Sequence, residues 1–552
     1  MKTLYLDIET NLKHNKIWLV VAKWADEDEC YHFRLEYNQA IKNLKAMVES
    51  ADKIVAHNGI GFDYPLLRQL WNVQIRKSQA IDTLVMSRLH NPIIEGGHSL
   101  KAWGKRLGFE KMEFDVTDFD AGWTQEMATY CERDVLVLQK LHEHLVAQFK
   151  TWGANYEQSI AQEHEVAIIL SRMERTGFRI DVEKAIQMED AIVSEMESIE
   201  TELQATFPPI IEERISLKTG KRLKDKVTVF NPGSRKQIAE RLKALGVDFT
   251  KHTEKGTIII DDAVLNSIDL PEARLLARYF FLQKRQGLVK SWLKATREDG
   301  RVHGRINSIG AVTNRCTHNS PNMAQIPSDH ECRQLWTVDT GRALVGSDLS
   351  GIELRCLAHY MNDDDYTKQL LEGDIHTTNQ KAIGLAERST AKTWIYAFLY
   401  GAGEGKLGAV AGGDSKLGAK LKQQFFRKIP SMKKLIDKVK RLAGKGFVPA
   451  LDGRRIQVQS EHSSLNMLLQ AAGAIVAKQW LIESQRQVTK LGLDAKLVAF
   501  VHDETQWDCA DKDAEKLAEV LVKAAETAGE QLGFRLPVAA ESAIGTTWAD
   551  TH

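Results

Sequence analysis

The pattern of apolar and polar residues divides the first 150 residues between short strands and amphipathic helices. Nearly continuous apolar runs are typical of buried strands, whereas apolar residues at helical spacing are typical of helices that bury one face. The predicted strands are KTLYLDI, IWLVVAKWA and KIVAH, and the predicted helices are YNQAIKNLKAMVES and MATYCERDVLVLQKLHEHLVAQF. A mixed α/β domain is therefore expected over residues 1–150.

The pattern changes twice more along the chain. It is predominantly helical from residue 155 to 206, and beyond residue 300 short strand candidates alternate with long helical runs. The strand candidates in this last part are RALVGSD, KLVAFVHDE and TQWDCA. Since the sequence has no internal repeat and no low-complexity tract, we expect several domains of the α/β and α+β classes.

The composition is that of a globular protein with several hydrophobic cores. The chain has 552 residues, 43% hydrophobic and 27% charged, which is enough for about three to five domains. Its six cysteines are scattered without a CxxC pair, so we expect no disulfide framework, no zinc cluster and a reducing, intracellular compartment. Because the sequence has no apolar leader and no uninterrupted apolar run of about 18 residues, neither secretion nor membrane insertion is expected.

The balanced net charge conceals a strong segregation of charge. Lys and Arg number 74, as do Asp and Glu, which argues against a uniformly polybasic nucleic-acid binder. The net charge is −6 over residues 181–200, but +6 over 211–260, +6 over 281–315 and +9 over 381–440. Local basic grooves can therefore bind an anionic partner, with an affinity that falls steeply as salt is added.

Four acidic residues and a tyrosine form the first candidate site. Asp7 and Glu9 lie two apart at the end of a predicted strand, where alternate side chains share one face. Asp63 follows a Gly-rich turn, where it is either a helix N-cap or a ligand. Tyr130 and Asp134 are four residues apart on an apolar helix and share a side of it. Hard oxygen ligands suit a pair of Mg²⁺ or Mn²⁺ ions, which act on phosphodiesters.

A second acidic set occurs in the last part of the chain. Asp348 ends the strand RALVGSD and is either a ligand or the N-cap of the next helix. His502, Asp503 and Glu504 lie where two predicted strands meet in a turn. Asp348 and Asp503 together can hold two Mg²⁺ ions, which activate a 3′-hydroxyl and neutralise a triphosphate.

A helix between these acidic residues carries a stripe of cations and aromatic rings. Arg388, Lys392, Tyr396 and Tyr400 are each four apart and so follow one side of a helix. In one interpretation the cations contact phosphates while the tyrosines lie against a sugar and a base. In the other, the charges are solvated and the tyrosines belong to the core. The Gly-rich segment that follows lacks the spacing of a phosphate-binding loop and is expected to be a turn.

The first site resembles the metal site of the DEDD family of 3′–5′ exonucleases. Asp7, Glu9, Asp63 and Asp134 occur in the order of the four metal ligands of that family. The residue four before the last aspartate is Tyr130, which places the chain in the tyrosine subtype. The resemblance implies that this tyrosine orients the attacking water.

The second site resembles the three motifs of family A DNA polymerases, the DNA polymerase I family. Motif A corresponds to Asp348 through Arg355, motif B to Arg388 through Gly401, and motif C to residues 502–504. Further family-like segments extend the resemblance over nearly the whole chain. The sequences of these segments are most similar to those of replicative polymerases from podovirus-type phages.

The resemblance implies an RNase H-like exonuclease domain followed by a right-hand polymerase with thumb, palm and fingers. The implied domains are the exonuclease at 1–150, linker helices and thumb at 151–300, the first palm part at 301–360, the fingers at 361–450 and the second palm part at 451–552. The implied activity is template-directed DNA synthesis from deoxynucleoside triphosphates on primer-template DNA, with proofreading and two Mg²⁺ or Mn²⁺ ions per site. A phage-encoded monomer in the host-cell cytoplasm is expected, with a replicative helicase or other replisome proteins as further partners.

The resemblance also assigns roles to single residues. The catalytic residues would be Asp348, Asp503, Glu504 and, in the exonuclease, Tyr130. The residues implied to bind the incoming nucleotide are Arg388, Lys392, Tyr396, Tyr400, Gly401, His376 and Glu353. Glu353 is expected to pack with Tyr396 under the sugar and to disfavour a 2′-hydroxyl. The residues implied to touch the primer-template near its terminus are Arg315, Gln470 and His502.

Two features depart from the family pattern. Asn314 stands where glycine is usual, which changes the turn that precedes Arg315. The segment between Phe207 and Phe230 is short, so the large insertion with which well-known phage relatives recruit a processivity factor is expected to be missing. A basic stretch in this segment is either a hairpin that contacts DNA phosphates or a solvated loop. Its candidate DNA contacts are Lys218, Lys221, Arg222 and Lys224.

Three other functions fit parts of the sequence. A DNA-binding scaffold without catalysis would have no reason to hold six carboxylates near phosphates. A nuclease or repair enzyme would excise more than it extends on a matched primer. A single-subunit RNA polymerase would lack such an exonuclease and would not be expected to combine Glu353 with Tyr396.

Replacing Tyr396 with phenylalanine is expected to reduce dideoxynucleotide incorporation relative to deoxynucleotide incorporation. The tyrosine hydroxyl can replace a contact that the missing 3′-hydroxyl would make, and phenylalanine cannot. The measurement is the ratio of the two incorporation rates on one primer-template. An unchanged ratio would contradict the prediction.

Overall fold

The chain forms two compact units. The computed structural model describes residues 2–34, 38–111, 120, 122–153, 155–216, 218, 220–253 and 255–552. The main unit comprises residues 1–178, 304–325 and 338–552. The inserted unit comprises residues 179–303 and 326–337.

The main unit begins with a five-stranded sheet that has a hydrophobic core on each face. Its strands are β1 (Thr3–Thr10), β2 (Ile17–Trp24), β3 (Tyr31–Arg34), β4 (Lys53–Ala56) and β5 (Ala80–Asp82). Its helices are α1 (Asn38–Ser50), α2 (Asp63–Trp71), α3 (Thr83–His90), α4 (Leu100–Arg106) and α5 (Gln125–Lys150). The strand order is β3-β2-β1-β4-β5, with β1 antiparallel to β2 and parallel to β4.

Strand β1 separates the two cores of this sheet. Leu4 and Leu6 pack in one core with residues of α1 and α2, whereas Tyr5 packs in the other with residues of α5. Because side chains alternate along a strand, Asp7 and Glu9 lie on the same face as Tyr5. The strands and helices predicted for residues 1–150 are confirmed, and Tyr37, in one predicted helix, lies outside the described residues.

The inserted unit is mainly helical. Its helices are α7 (Val182–Thr206), α8 (Arg235–Ala244), α9 (Asp262–Asn266), α10 (Pro271–Ala295) and α11 (His330–Arg333). Its strands are β6 (Phe178–Ile180), β7 (Ile210–Ile215), β8 (Arg222–Thr228), β9 (Arg301–Val302) and β12 (Trp336–Thr337). Strands β12, β6 and β9 form a small sheet, and β7 pairs with β8 in an antiparallel hairpin. The basic stretch is thus in a hairpin, while Leu217 and Thr219 near its turn lie outside the described residues.

The rest of the main unit surrounds an antiparallel sheet in the order β16-β17-β13-β18. Its strands are β10 (Arg305–Asn307), β11 (Thr317–Asn319), β13 (Arg342–Leu349), β14 (Phe447–Pro449), β15 (Arg455–Gln457), β16 (Ala495–Val501), β17 (Glu504–Ala510) and β18 (Ala540–Gly545). Its helices are α6 (Tyr156–Thr176), α12 (Ile352–Met361), α13 (Asp364–Glu372), α14 (Ile375–Ile383), α15 (Arg388–Leu399), α16 (Glu404–Val410), α17 (Ser415–Lys428), α18 (Pro430–Ala443), α19 (Ser464–Leu491) and α20 (Ala514–Gln531). One hydrophobic core joins the sheet, α6 and these helices.

One helical segment in the described part of the chain is long and apolar enough to cross a membrane. It is Glu461–Leu491, which includes α19. Inside the molecule, 83% of its most apolar window is buried. Its apolar character is therefore accounted for by its place in the core.

The Gly-rich segment after α15 forms α16, which packs closely against α17. A Cβ added at Gly418 would lie 1.9 Å from the backbone oxygen of Glu404 and 2.8 Å from the backbone nitrogen of Gly408. Backbone atoms cannot move aside as a flexible side chain can. Gly408 in this segment and Gly418 in α17 therefore allow the two helices to approach closely. The expected turn is confined to the ends of the segment, at residue 401 and at residues 411–412.

We expect Gly418→Ala to destabilise the fold by about 1–3 kcal/mol, the usual cost of overpacking. Gly405→Ala is the matched control, because a Cβ there meets no atom within 4 Å and alanine is the better helix former. The measurement is the thermal and urea unfolding midpoint of both variants. Equal midpoints would show that the α16–α17 contact is not tight.

Candidate functional site

The first set of acidic residues meets between β1, α2 and α5. Asp63 is the first residue of α2 and is only 3% exposed. The N-cap of this helix is Phe62, which makes no capping hydrogen bond through its side chain. Asp134 lies on α5 and is 4% exposed. The N-cap alternative for Asp63 is therefore wrong, and its buried carboxylate is free for another role.

The buried carboxylates raise one another's pKa. Burial, followed by the charge of Asp134, raises the pKa of Asp7 to about 7. Burial, followed by the charge of Asp7, raises the pKa of Glu9 to about 8. Burial and then Asp7 also raise the pKa of Asp63 well above its usual range. Like charges held this close together disfavour the ionised form of each group, and the charge of Lys111 offsets this only in part.

The donor set at this point fits a divalent cation. The ligand atoms of Asp7, Glu9 and Cys131 lie within 4.8 Å of one another. Asp134 adds a buried carboxylate oxygen, Oδ1, that has no hydrogen-bond partner among the described residues. Asp63 and Asp134 are not members of the tight cluster, although their charges reach it.

Two residues at this site were not predicted from the sequence. Lys111 forms an ion pair with Asp134, and its ammonium lies 4.8 Å from the ring centroid of Tyr130. The thiol of Cys131 lies 3.6 Å from Oδ2 of Asp7. Cys131 follows Tyr130 directly in the motif, so its proximity could have been anticipated, whereas no spacing rule connects Lys111 with α5.

A buried aspartate holds the loop that precedes Asp63. Asp82 accepts hydrogen bonds from the backbone nitrogens of Asn58 at 2.9 Å and Ile60 at 3.0 Å. Its own backbone nitrogen donates to Nε2 of His164 on α6 at 2.7 Å. The position of α2, and of the carboxylate at its start, therefore depends partly on α6.

The second set of acidic residues lies at one end of the antiparallel sheet. Asp348 in β13 is opposite Glu504 in β17, and the backbone nitrogen of Leu349 donates to the carbonyl of Asp503 at 3.0 Å. Helix α12 has Gly351 as its N-cap, so the N-cap alternative for Asp348 is wrong. Burial raises the pKa of Asp503. The β13–β17 pairing thus brings residues that are about 150 positions apart in sequence to the same end of the sheet.

Glu504 is engaged in the interior of the sheet. Its Oε1 accepts from Nε1 of Trp548 and from Nε2 of Gln506, the latter at 2.8 Å. Its Oε2 is 3.3 Å from Nδ1 of His552. The carboxylate is only 5% exposed, so these contacts give Glu504 a structural environment that differs from that of Asp348.

Helix α15 presents its stripe as the spacing predicts. Arg388 at its start makes a two-pronged contact with Asp374, Nε to Oδ2 at 2.7 Å and Nη2 to Oδ1 at 3.0 Å. Lys392 is exposed one turn later. His376 has its ring centroid 6.3 Å from that of Tyr396. The stripe therefore begins with accessible cations and continues with aromatic rings.

Glu353 links α15 to the sheet. Its Oε2 accepts the hydroxyl of Tyr400 at 2.9 Å and its Oε1 accepts Nη2 of Arg315 at 3.2 Å. Burial and this bond raise the pKa of Tyr400 to about 12. Tyr396, the expected partner of Glu353, is close enough for that carboxylate to raise its pKa further after burial, but the hydrogen bond goes to Tyr400.

Several predicted DNA contacts lie around this second site. Arg315, His502 and Asp503 line one small cavity of about 20 Å³, together with residues of α19. Burial and the charge of Arg315 lower the pKa of His502. Gln470 is half-buried one turn before the lining residues of α19.

The predicted contacts of the basic stretch lie in the inserted unit. Lys218, Lys221, Arg222 and Lys224 are all exposed. Arg222 is paired with Glu213 at 3.2 Å and with Asp225 at 3.3 Å. The three lysines are therefore the stronger candidates for contact with an external anion.

Comparison with known proteins gives two family matches. Residues 196–550 match DNA polymerase family A, and residues 4–146 match the RNase H superfamily. Domains of these two kinds generally use divalent metal ions.

Curated relatives match along the whole chain. The DNA-directed DNA polymerase of Enterobacteria phage T3 is 30% identical, with all of both chains covered. That of Escherichia phage T7 is 30% identical over 94% of this chain and 95% of its own. DNA polymerase I of Aquifex aeolicus is 28% identical over 99% of this chain and 95% of its own.

A solved structure shares the fold. The POL domain of Pol1 from M. smegmatis, in complex with DNA primer-template and dNTP, aligns with a TM-score of 0.83 at 16% identity. The alignment covers all of this chain and 96% of that one. At this identity the likeness concerns the fold alone.

Proposed function

The chain belongs to DNA polymerase family A as a template-directed DNA polymerase with an N-terminal RNase H-like exonuclease domain, and we propose that its two acidic sites divide synthesis and proofreading between them. The observation that carries this division is that Asp348 and Asp503 share a sheet edge, while Asp7 and Glu9 meet α5 in a different sheet. A single-subunit RNA polymerase is incompatible with the family match.

The synthesis site would use its two aspartates as metal ligands. Asp348 and Asp503 would hold two Mg²⁺ or Mn²⁺ ions, which lower the pKa of the attacking 3′-hydroxyl and neutralise the leaving pyrophosphate. Asp348 is exposed at the strand end, where a ligand can reach it. Glu504, held by Trp548 and Gln506, would support the turn that carries Asp503 rather than bind metal.

Helix α15 would bind the incoming nucleoside triphosphate. The guanidinium of Arg388 can exchange Asp374 for phosphate oxygens, because both present the paired acceptors that it prefers. Lys392 would contribute a point charge one turn along, and His376 would contact the triphosphate from α14. These cations sit before the aromatic part of the stripe, so the phosphates and the sugar would lie along one helix face.

The sugar and base would lie against the aromatic part of α15. Tyr396 and Tyr400 stack with ring centroids 6.4 Å apart, and Gly401 follows with a φ of 77°. Glu353, fixed by Tyr400 and Arg315, would exclude a 2′-hydroxyl by occupying its space. Arg315, Gln470 and His502 would contact the primer-template near its terminus.

The exonuclease site would remove mispaired primer ends in the 3′ to 5′ direction. Asp7, Glu9, Asp63 and Asp134 would be the metal ligands, and Tyr130 would orient the attacking water. Lys111, already close to Asp134 and Tyr130, would add positive charge near the scissile phosphate. A mismatch favours this site because it lowers the cost of separating the strands.

The biological setting follows from the phage relatives. We propose that the protein replicates a phage genome as a monomer in the host cytoplasm, with primer-template DNA and deoxynucleoside triphosphates as ligands. A replicative helicase or other replisome proteins would be further partners. The exposed lysines of the β7–β8 hairpin would hold duplex phosphates as the thumb of the enzyme.

The two activities should separate by mutation. Asp503→Ala is expected to reduce primer extension by about 100-fold or more, on the scale of lost transition-state stabilisation, while leaving single-strand degradation intact. Asp7→Ala should do the reverse. Both activities are measured on the same labelled primer, matched and mismatched, with wild type as the control. Loss of both activities in either variant would contradict separate sites.

Neutralising the hairpin lysines should weaken DNA binding in a salt-dependent way. With Lys218, Lys221 and Lys224 changed to glutamine, we expect the log–log slope of binding against salt to fall by up to about one per lost phosphate contact. The control is the same change at Lys490, Lys516 and Lys523, exposed residues at the end of α19 and in α20. Binding is measured by fluorescence anisotropy at several salt concentrations, together with processivity. An unchanged slope would leave the hairpin as a solvated loop.

A further inference from the structure

A group of four charged side chains is buried beneath the synthesis site. Its members are Glu163 on α6, Asp452 and Arg454 beside β15, and Lys478 on α19, and we call them the buried ionic cluster. They are 0%, 7%, 0% and 1% exposed, respectively. Two positive and two negative charges balance, as burial of charge in a protein interior requires.

Glu163 is the centre of the buried ionic cluster. Both of its carboxylate oxygens accept from Nζ of Lys478 at 2.8 Å, and Oε1 also accepts from Nη1 of Arg454. Asp452 accepts from Nε of Arg454 at 2.9 Å and from the hydroxyl of Ser159 at 2.8 Å. Helix α6 is thereby joined to α19 and to the segment around β15.

Both cations of the cluster also bind Asn314. Nη1 of Arg454 donates to the side-chain oxygen of Asn314 at 3.1 Å, and Nζ of Lys478 donates to its backbone oxygen at 2.8 Å. Asn314 is 1% exposed and has a φ of 58°. Its backbone therefore adopts a conformation that few residues tolerate, and it is held there through both of its oxygens.

These contacts use nearly all the donors of the two cations. Lys478 directs its three N–H groups to the two oxygens of Glu163 and to Asn314. Arg454 directs Nε to Asp452, Nη1 to Glu163 and Asn314, and Nη2 to Gln162, and Nη2 also lies 2.8 Å from Asp452 in an ion pair. Neither cation can rotate without losing a bond, so two separate side chains hold Asn314 in place.

The residue after Asn314 reaches into the synthesis site. Arg315 donates to Glu353, and it lines the same cavity as Lys478, His502 and Asp503. The carbonyl of Arg315 accepts from the backbone nitrogen of Gly310 at 3.1 Å, which closes the turn. The direction of the guanidinium is thus set by how the backbone of Asn314 is held.

We propose that the buried ionic cluster is a positioning device for nucleotide incorporation, in which Glu163, Arg454 and Lys478 fix Asn314 and so aim Arg315 at Glu353 and the primer terminus. This rests on the proposed synthesis site. Replacing a buried ion pair with apolar residues is often neutral or stabilising, so stability alone does not account for four buried charges. The geometry that these charges impose on Asn314 accounts for their presence.

The exonuclease provides an internal control for this proposal. His164, next to Glu163 on α6, accepts from the backbone of Asp82, which holds the loop before Asp63. A change that loosens α6 as a whole would therefore reduce both activities. A change that only misdirects Arg315 would reduce synthesis alone.

The test variant is Asn314→Gly, because glycine keeps the left-handed backbone and removes the side chain, whose oxygen accepts from Arg454 and whose amide donates to the carbonyl of Val312 at 3.4 Å. We expect the maximal incorporation rate of a single nucleotide to fall about tenfold, the scale of one hydrogen bond to a charged group. Degradation of single-stranded DNA should stay unchanged, since the acidic residues around β1, α2 and α5 are untouched. Asn72→Gly is the matched control, an exposed asparagine with a φ of 51° in the N-terminal domain.

The route through Arg315 is tested with a double-mutant cycle. In an Arg315→Ala background, Asn314→Gly should have no further effect on incorporation, because the side chain that it positions is gone. Glu163→Gln, which keeps the side-chain volume, should slow incorporation while the exonuclease rate is retained. Rapid-quench single-turnover kinetics measures each rate.

Each outcome bears on the proposal. An unchanged incorporation rate in Asn314→Gly, an additive effect with Arg315→Ala, or a parallel loss of both activities would overturn the positioning role. Absence of DNA synthesis by the wild-type protein would overturn the proposed synthesis site itself. The two failures are therefore distinguishable.

Discussion

Like-charged carboxylates have to be held close together in this protein, and the surrounding structure provides the restraint. Asp7, Glu9 and Asp63 are held together against their mutual repulsion, as the raised pKa values of all three indicate. A rigid frame keeps such groups from separating, and their raised pKa values are the consequence. A packed strand with cores on both sides, and a helix pinned by Asp82, supply that frame.

The two acidic sites differ in the surroundings that they give to their neighbouring carboxylates. The carboxylates of the proposed exonuclease site lie close to Lys111, which reduces their repulsion, while Oδ1 of Asp134 has no hydrogen-bond partner in the described part of the chain. At the proposed synthesis site, Asp348 is exposed, and the neighbouring Glu504 accepts hydrogen bonds from Trp548 and Gln506.

Helix α6 contacts residues that hold both acidic sites in place. Glu163 faces the buried ionic cluster under the synthesis site, and the next residue, His164, contacts the backbone of Asp82. Adjacent residues of a helix point in different directions, so one helix can anchor two domains. This explains why the N-terminal domain and the second sheet fall within one compact unit.

Local pattern alone determined much of this protein: the strands and helices of the first 150 residues, the strands that carry Asp7 and Asp348, and the stripe along α15 all follow from periodicity and spacing. Such features depend on neighbours in the chain. Tertiary structure decided which residues from distant segments meet: Lys111 with Asp134, Tyr400 with Glu353, and Glu163 with Arg454 and Lys478. It also turned a Gly-rich stretch into a close helix contact. These pairings join residues far apart in sequence, and only the packing of the completed fold brings them within hydrogen-bonding distance.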